Sequence, residues 1–253
     1  MTGTLYLVPN TLDFGTGDAQ QPPDIEDTLP MGALKVAAAL PHWVAENAKT
    51  TRSFLKRVGQ RVPLSRPLQE IGIVELPRPP KGGAAVAAPN LAPLLAPALA
   101  GHDLGLISEA GLPAVADPGA LLVAAAHAAG VPVRPLSGPT SLLLALSASG
   151  LNGQSFAFVG YLPVEAGARI ARLRELEVLS RKQQQTQLMI ETPYRNGALL
   201  SAMLQALAGG TRVSISVGLT LEGGWTRTLT VADWKRQGVS LPDRVPAVFC
   251  LLG

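Results

Sequence analysis

The sequence is poor in the residues that most often carry metal or thiol chemistry. It holds one cysteine, Cys250, and only three histidines. A single cysteine excludes a disulfide within the chain, and so few cysteine and histidine side chains argue against a structural zinc site. We therefore expect neither a disulfide nor a bound metal.

Charged and aromatic residues are also scarce. They make up 15% and 4% of the 253 residues, whereas hydrophobic residues make up 47% and the mean hydropathy is +0.25. This composition excludes a disordered chain and supplies apolar side chains for one large or two small cores. No apolar run reaches the roughly 18 residues that a membrane span needs, and the first ten residues lack the basic and long apolar regions of a signal peptide. We expect a cytoplasmic protein with no membrane segment.

The positive charge of the chain is concentrated in one segment. The formal net charge is +3, yet six cations and no acid lie between Lys49 and Arg66. The rest of the chain carries 15 cations and 18 acids. Two interpretations stay open, a solvated helix face or a surface that contacts a polyanion, nucleic acid above all.

Several enzyme classes are excluded by missing motifs. There is no G-x-x-x-x-G-K-[ST], which excludes a P-loop nucleotidase. There is no G-x-S-x-G and no nucleophile beside any histidine, which argues against a serine hydrolase. Gly15-Thr16-Gly17 is not followed by the third glycine of a dinucleotide-binding turn.

Strand-like and helix-like segments alternate along the chain, which predicts an α/β fold. In the first half we predict strands at 5–8, 42–46, 103–108 and 131–136, with helices at 31–40, 47–58 and 119–129. In the second half we predict strands at 156–159, 186–191, 212–219, 226–231 and 245–252, with helices at 140–149, 168–179 and 196–208. We expect two α/β lobes, 1–136 with a mainly parallel sheet and 137–253 with a mixed sheet.

The segment with the most features of a ligand site is 108–119, SEAGLPAVADPG. It follows a predicted strand and leads into a predicted helix. Ligands of open α/β sheets bind at such strand ends, and small residues let backbone N–H groups approach a ligand. Asp117-Pro118 also fits a helix N-cap followed by proline at the first helical position. For this segment a ligand site and plain helix capping both remain open.

Four more strand ends carry similar loops. Ser137–Ser141 opens a helix and has hydroxyls that suit a carboxylate or a ribose, although capping by Thr140 or Ser141 explains them equally well. Three further loops end strands of the second lobe, at 158–163, 191–195 and 217–220. Five strand-end loops over two lobes predict a ligand cleft between the lobes.

Three segments of the chain together resemble the tetrapyrrole (corrin/porphyrin) methylase superfamily. They are ISEAGLPAVADPG, PLSGPTSLLLALSASGLNGQSFAFVGYLP and ETPYR. Within the superfamily they are most similar to the branch of the 16S ribosomal RNA cytidine 2′-O-methyltransferase, with its S-D-A-G-x-P-x-x-x-D-P-G, P-G-P-S-A, G-F-L-P and E-S-P-x-R patterns. The resemblance runs from Gly3 to about Leu252 and is densest in residues 106–195.

The resemblance implies a class III methyltransferase-like fold, S-adenosylmethionine bound in a cleft between the lobes, and a homodimer. It implies methyl transfer but does not by itself identify the substrate. We expect the acceptor to be RNA, with ribose 2′-O methylation as in the similar ribosomal RNA enzymes. Carried over by position, the residues that line the cofactor pocket are Pro9, Ser108, Glu109, Ala110, Gly111, Asp117, Thr140, Ser141, Tyr161, Leu162, Tyr194, Leu219 and Thr220.

A hydroxyl acceptor needs a group that takes its proton, and Glu46 and Glu109 are the candidate catalytic residues. Either of them is equally plausible as a structural carboxylate. From the basic run, we expect Lys49, Arg52 and Lys56 to bind the phosphates of the substrate.

The chain departs from the branch pattern at four places. T-P-I-G-N after the first strand is Val8–Leu12 here, A-E-D-T-R is Ala45–Lys49, the aspartate of S-D-A-G is Glu109, and K-G-E-F is Arg244–Ala247. These departures indicate a shorter sister subfamily of methyltransferases. Two alternatives to RNA methylation remain: methylation of a tetrapyrrole or other small anionic metabolite, and cofactor binding without catalysis.

Overall fold

The computed structural model describes residues 1–13, 23–77 and 89–253, which divide into two units, Met1–Pro139 and Thr140–Gly253. The division falls shortly after residue 136, where the sequence places the end of the first lobe. Gly15-Thr16-Gly17 lies outside the described residues.

The N-terminal unit, Met1–Pro139, contains a five-stranded parallel sheet whose strands alternate with helices. In chain order its elements are β1 (Leu5–Leu7), α1 (Met31–Ala39), β2 (His42–Ala45), α2 (Ala48–Gly59), β3 (Gly72–Glu75), α3 (Ala96–Leu99), β4 (Leu104–Ile107), α4 (Ala120–Ala128) and β5 (Val133–Pro135). The strand order is β3-β2-β4-β1-β5, and every pairing is parallel. The predicted strands and helices are confirmed, and strand β3 and the short helix α3 are additional elements.

The two faces of this sheet carry different helices. Leu34 of α1 and Phe54 of α2 pack on one face, around Trp43. Leu122 of α4 packs on the other face with Leu106. A side chain at position 105 of β4 is excluded by this packing, because a Cβ there would lie 2.7 Å from the Trp43 ring.

This arrangement creates a topological switch point between β1 and β4. The chain leaves β1 toward a helix on one face of the sheet and leaves the neighbouring β4 toward a helix on the other face. The loops that follow the two strands therefore diverge at the carboxyl edge. Open α/β sheets bind ligands in the crevice at such points.

The C-terminal unit, Thr140–Gly253, contains a five-stranded mixed sheet. Its elements are α5 (Ser141–Ser149), β6 (Phe156–Phe158), α6 (Ala166–Gln183), β7 (Thr186–Ile190), α7 (Asn196–Ala206), β8 (Arg212–Val217), β9 (Trp225–Thr230), α8 (Val231–Gln237) and β10 (Ala247–Leu252). The strand order is β6-β7-β10-β8-β9. Only β6 and β7 pair in parallel, while β10 is antiparallel to both β7 and β8.

The directions of these strands decide where their loops lie. Since β10 is antiparallel to both of its neighbours, β7 and β8 run in the same direction, and β6 runs with them. The carboxyl ends of β6, β7 and β8 therefore share one edge of the sheet. Helix α5 covers one face of the sheet with Leu142 and Leu146, and α6, α7 and α8 pack on the other.

The two-unit α/β architecture, with one parallel and one mixed sheet, confirms the predicted fold class. Within the residues that the structure describes, no helix is both long and apolar enough to cross a bilayer.

Candidate functional site

At the switch point of the N-terminal unit, the loops after β1 and β4 are joined by hydrogen bonds. The Asn10 N–H donates to the Gly111 carbonyl at 2.8 Å, and the Gly111 N–H donates to the Asn10 carbonyl at 3.2 Å. The Asn10 amide also donates to the carbonyls of Ser108 and Glu109, at 3.1 and 3.0 Å. Asn10 thus fixes the start of the 108–119 loop, a role that the sequence analysis did not assign to it.

The loop 108–119 has a backbone that most residues avoid. Ala114 and Ala116 have φ of 67° and 62°, and Gly119 has φ of 132°. Left-handed backbone at residues other than glycine costs free energy and concentrates at ligand sites. The strain supports the prediction that this loop binds a ligand.

The predicted capping role of Asp117 is wrong. Helix α4 begins at Ala120, and its N-cap residue is Gly119, with no side-chain cap. The reason is a turn closed by a hydrogen bond from Ala114 N–H to the Pro118 carbonyl, which carries Asp117 out of the capping position. The carboxylate of Asp117 is therefore not used to cap the helix.

Three carboxyl groups lie close together here, those of Glu109 and Asp117 in the loop and that of Glu46 beside it. Glu46, directly after β2, accepts a hydrogen bond from the Glu109 N–H at 3.0 Å. Burial, followed by the charge of Glu46, raises the pKa of Asp117 to about 6, with a smaller contribution in the same direction from Glu109. The nearby Ser108 hydroxyl acts in the opposite direction. Groups with such shifted pKa values are typical of functional sites.

The other predicted residues of this unit lie at the same carboxyl edge. Pro9 follows β1 and packs against Gly138, where a Cβ would approach the proline Cβ to 2.2 Å. Ser108 is buried and donates to the Ala110 carbonyl at 3.1 Å. The structure therefore brings together all the cofactor residues that the sequence predicts in the N-terminal unit: Pro9, Ser108, Glu109, Ala110, Gly111 and Asp117.

In the C-terminal unit, the predicted residues also gather at one edge. Tyr161 and Leu162 follow β6, Tyr194 follows β7, and Leu219 and Thr220 follow β8, the three strands with a shared direction. The first turn of α5 lies at this edge as well, because Leu142 and Leu219 belong to one apolar cluster.

Two details of this edge favour a ligand. Thr140 occupies the N-cap position of α5, but its side chain makes no capping hydrogen bond, so no cap accounts for its hydroxyl. Thr220 has φ of 67°, which is unusual for a β-branched residue. Helix N-termini with free N–H groups suit anions such as a carboxylate.

The ETPYR segment is held by an ion pair between the buried Glu191 carboxylate and the partly exposed Arg195. The Arg195 Nε and Nη2 atoms donate to Glu191 Oε1 at 3.0 and 2.6 Å, and the Thr192 N–H donates to the same oxygen at 2.7 Å. The Glu191 side chain is only 1% exposed. The sequence signal for this pair is the spacing of four residues between Glu191 and Arg195. The sequence analysis instead selected Tyr194 from this segment.

Comparisons with known proteins match about half of the chain. No family model matches the chain. The chain is 41% identical over 127 residues to "Ribosomal RNA small subunit methyltransferase I" of Mesorhizobium japonicum, which is 50% of this chain and 42% of that protein. It is 42% identical over 122 residues to the protein of the same name in Vibrio cholerae, covering 48% of this chain and 41% of the relative. The match thus spans less than half the length of these relatives.

Solved structures with low sequence identity share the fold. A uroporphyrin-III C-methyltransferase from Thermus thermophilus superposes with a TM-score of 0.51 at 21% identity, covering 100% of this chain and 93% of that one. A cobalt precorrin-4 methyltransferase gives a TM-score of 0.55 at 14% identity, covering 98% and 94%. These matches confirm the predicted fold.

One departure from the sequence pattern of the ribosomal RNA methyltransferase branch is explained by the local structure. Asn47 stands where the branch has aspartate, and its side chain caps α2 by accepting hydrogen bonds from the N–H groups of Lys49 and Thr50, at 2.9 and 3.3 Å. Asparagine and aspartate are about equally good N-caps. Either residue would therefore cap the start of α2.

Helix α2 carries a stripe of exposed cations, Lys49, Arg52 and Lys56, which we name the basic stripe. By contrast, Arg57 pairs with Asp13 at 3.1 Å, and Arg61 pairs with Asp24 and Glu26. In the described part of the chain the three side chains of the stripe have no acidic partner. Among the same residues, no three His, Cys, Asp or Glu side chains are placed to hold a metal ion.

Proposed function

We propose that the chain is an S-adenosylmethionine-dependent methyltransferase that acts on RNA in the cytoplasm. The observation that carries the proposal is the position of the 108–119 loop, which resembles the pattern of the ribosomal RNA methyltransferases. It leaves β4 at the topological switch point, where such sheets bind ligands. Relatives 41–42% identical over half the chain, named ribosomal RNA small subunit methyltransferase I, support the same reaction class.

The residues at the two sheet edges fit this cofactor. Glu46, Glu109 and Asp117 provide negative charge that suits a sulfonium cation, and the first turn of α5 has no side-chain cap to compete for a carboxylate. Close approach of the backbone is possible at Gly111, whose φ is 67°. We assign the cofactor to the strand-end residues that the sequence predicts in each unit.

When bound, the cofactor supplies an activated methyl group, so the chain's own residues have to orient the acceptor, exclude water and take a proton. Glu109 is exposed and makes no side-chain hydrogen bond within the described residues, so it is free to accept a proton. Glu46 is engaged with the Glu109 N–H. We assign Glu109 as the catalytic base and Glu46 as the residue that positions it.

RNA is the acceptor that the basic stripe favours. Three exposed cations on one helix, with no acidic partner among the residues that the structure describes, suit a row of phosphates. Methylation of a tetrapyrrole, whose propionates would meet the same cations, is the second candidate, because the fold is shared with a uroporphyrin-III methyltransferase.

A homodimer, also implied by the resemblance, is supported by apolar side chains on the edge strand β6 and the loop after it. Phe156, Phe158, Tyr161 and Val164 are 43, 37, 56 and 67% exposed. Such groups of exposed apolar side chains mark interaction surfaces. Sedimentation equilibrium at micromolar concentration tests the dimer, and a monomer would contradict it.

Calorimetric titration with S-adenosylmethionine and S-adenosylhomocysteine tests the cofactor assignment. We expect one binding site per chain, and we expect Gly111→Val to abolish binding, because valine strongly disfavours a φ of 67°. Gly130→Val is the matched control, since Gly130 has φ of 68° but lies outside the predicted site. Absence of binding by the wild-type chain would contradict the proposed function.

A further inference from the structure

A pocket of about 220 Å³ opens on the N-terminal unit between the loop after β1 and helix α2. It is smaller than the roughly 300–1,000 Å³ of sites for drug-sized ligands, so a tetrapyrrole macrocycle does not fit. Its lining includes Thr11, Asp13, Thr50, Ser53, Arg57 and Glu109.

The charge of this pocket does not suit a phosphate. Arg57 Nη1 donates to Asp13 Oδ2 at 3.1 Å and to Thr11 Oγ1 at 3.3 Å, and Nη2 donates to the Pro23 carbonyl at 2.9 Å. The guanidinium is thereby neutralised and largely occupied. Glu109 adds a second carboxylate, so the described lining carries one cation and two anions. An anionic ligand would be repelled.

The polar groups that remain are hydrogen-bond acceptors. The Thr50 hydroxyl donates to the Asn47 carbonyl at 3.1 Å, and the Ser53 hydroxyl donates to the Lys49 carbonyl at 3.3 Å. With their hydrogens used on the helix backbone, both oxygens keep lone pairs for a ligand. The carboxylate of Glu109 is also an acceptor. An uncharged ligand with several N–H or O–H donors, such as a nucleoside, matches this lining.

The pocket and the basic stripe occupy neighbouring faces of one helix. Three pocket residues come directly after stripe residues in the sequence: Thr50, Ser53 and Arg57. Successive residues of an α-helix are rotated by about 100° around its axis. A strand of RNA with its phosphates on Lys49, Arg52 and Lys56 therefore passes the mouth of the pocket.

We propose that this pocket binds one nucleoside of the RNA, the one that receives the methyl group beside Glu109. The inference rests on the proposed function in one respect, namely that the nucleoside belongs to an RNA strand. The recognition itself depends only on the pocket lining.

Titration of the four free ribonucleosides, followed by amide NMR, tests the pocket without any methyl transfer. We expect shifts of the amides of residues 10–13 and 50–57 with a millimolar Kd. Ser53→Phe fills the pocket from an exposed position and is expected to weaken binding at least about tenfold. Ser147→Phe, an exposed helical serine of the C-terminal unit, is the matched control and is expected to bind as the wild type does.

A second variant guards against misfolding of Ser53→Phe. Thr50→Val removes one acceptor with little change of shape, and we expect it to weaken binding about threefold. No nucleoside-induced shift at these amides, or equal binding by both pocket variants and the wild type, would overturn the inference.

A methyl-transfer assay separates this inference from the proposed function. If the wild type methylates RNA, Ser53→Phe should lower kcat/KM for RNA about tenfold or more while cofactor affinity stays unchanged. An active Ser53→Phe variant overturns the pocket alone, whereas an inactive wild type that binds nucleosides overturns the proposed function alone.

Discussion

At the scale of single residues, Asp117 shows how the site affects stability. Its carboxyl has a pKa raised to about 6 by burial and by the charges of Glu46 and Glu109. The folded chain therefore binds a proton more tightly than the unfolded chain does. Stability from this group is present below pH 4 and is lost as the pH rises toward 6, so the ionised carboxylate is a cost at neutral pH.

We expect Asp117→Asn to increase the free energy of unfolding at pH 8 by about 1 kcal/mol. A shift of two pKa units corresponds to nearly 3 kcal/mol, and partial exposure of the carboxyl reduces this. At pH 4 the variant and the wild type should differ little. Urea unfolding at the two pH values measures the effect, and a variant that is less stable at pH 8 would contradict this account of the site.

The roles that we propose for Glu46 and Glu109 are separable. Among the described residues, the Glu46 carboxylate accepts a hydrogen bond from the Glu109 N–H, whereas the Glu109 carboxylate makes none. We expect Glu109→Gln to lower kcat at least about a hundredfold with little change in cofactor affinity. Glu46→Gln keeps an oxygen acceptor for the Glu109 N–H, so its kcat should fall less than about tenfold. The pH profile of kcat should change only in Glu109→Gln, and the reverse order of effects would exchange the two assignments.

At the scale of elements, the ETPYR turn depends on the ion pair between the buried Glu191 carboxylate and Arg195. Arg195→Ala leaves a carboxylate that is only 1% exposed without its cation, which we expect to cost about 3–5 kcal/mol of unfolding free energy. The exposed pair of Arg172 and Glu175 is the control, and Arg172→Ala should cost less than about 1 kcal/mol. Urea unfolding compares them, and equal losses would show that the Glu191 pair contributes no more than a surface pair.

We expect the basic stripe on α2 to make the binding of RNA dependent on salt. Replacing Lys49, Arg52 and Lys56 by glutamine should reduce the slope of log K against log salt concentration by about two, at about 0.7 for each phosphate contact. The matched control replaces Arg174, Lys182 and Lys235, exposed cations of the C-terminal unit. Fluorescence anisotropy with a labelled RNA measures the slopes, and an equal change in both triple variants would exclude a specific role of the stripe.

Most elements were predictable from the sequence, and the exceptions have local causes. Strand β3 was missed because Gly72–Glu75 is short, begins with glycine and is mostly exposed. Helix α8 was missed although Thr230 and Asp233 form a capping motif, with the Asp233 N–H donating to the Thr230 hydroxyl at 3.1 Å. The helix has only seven residues and directly follows the strand pattern of β9, so no helical periodicity of hydrophobic residues is visible in the sequence.

At the scale of the whole molecule, the sequence predicted the loops that follow the strands but not the contacts that shape those loops. Asn10 and Ser108 are 98 residues apart, and their hydrogen bond follows from the pairing of β1 with β4, which no local pattern reveals. The wrong capping role of Asp117 has a similar cause, since a left-handed backbone at Ala114 and Ala116 is not encoded by residue type. Strand-end loops are predictable from alternation, whereas the backbone within them is set by the fold.

The central claim is that this chain transfers methyl groups to RNA. The most direct test is transfer of tritium from methyl-labelled S-adenosylmethionine to ribosomal RNA and ribosomal particles from cells that lack the gene for this chain. The account predicts label in that RNA, approaching one methyl group per molecule, and none in RNA from wild-type cells. Absence of label in every RNA and particle, from a protein that binds the cofactor, would contradict it.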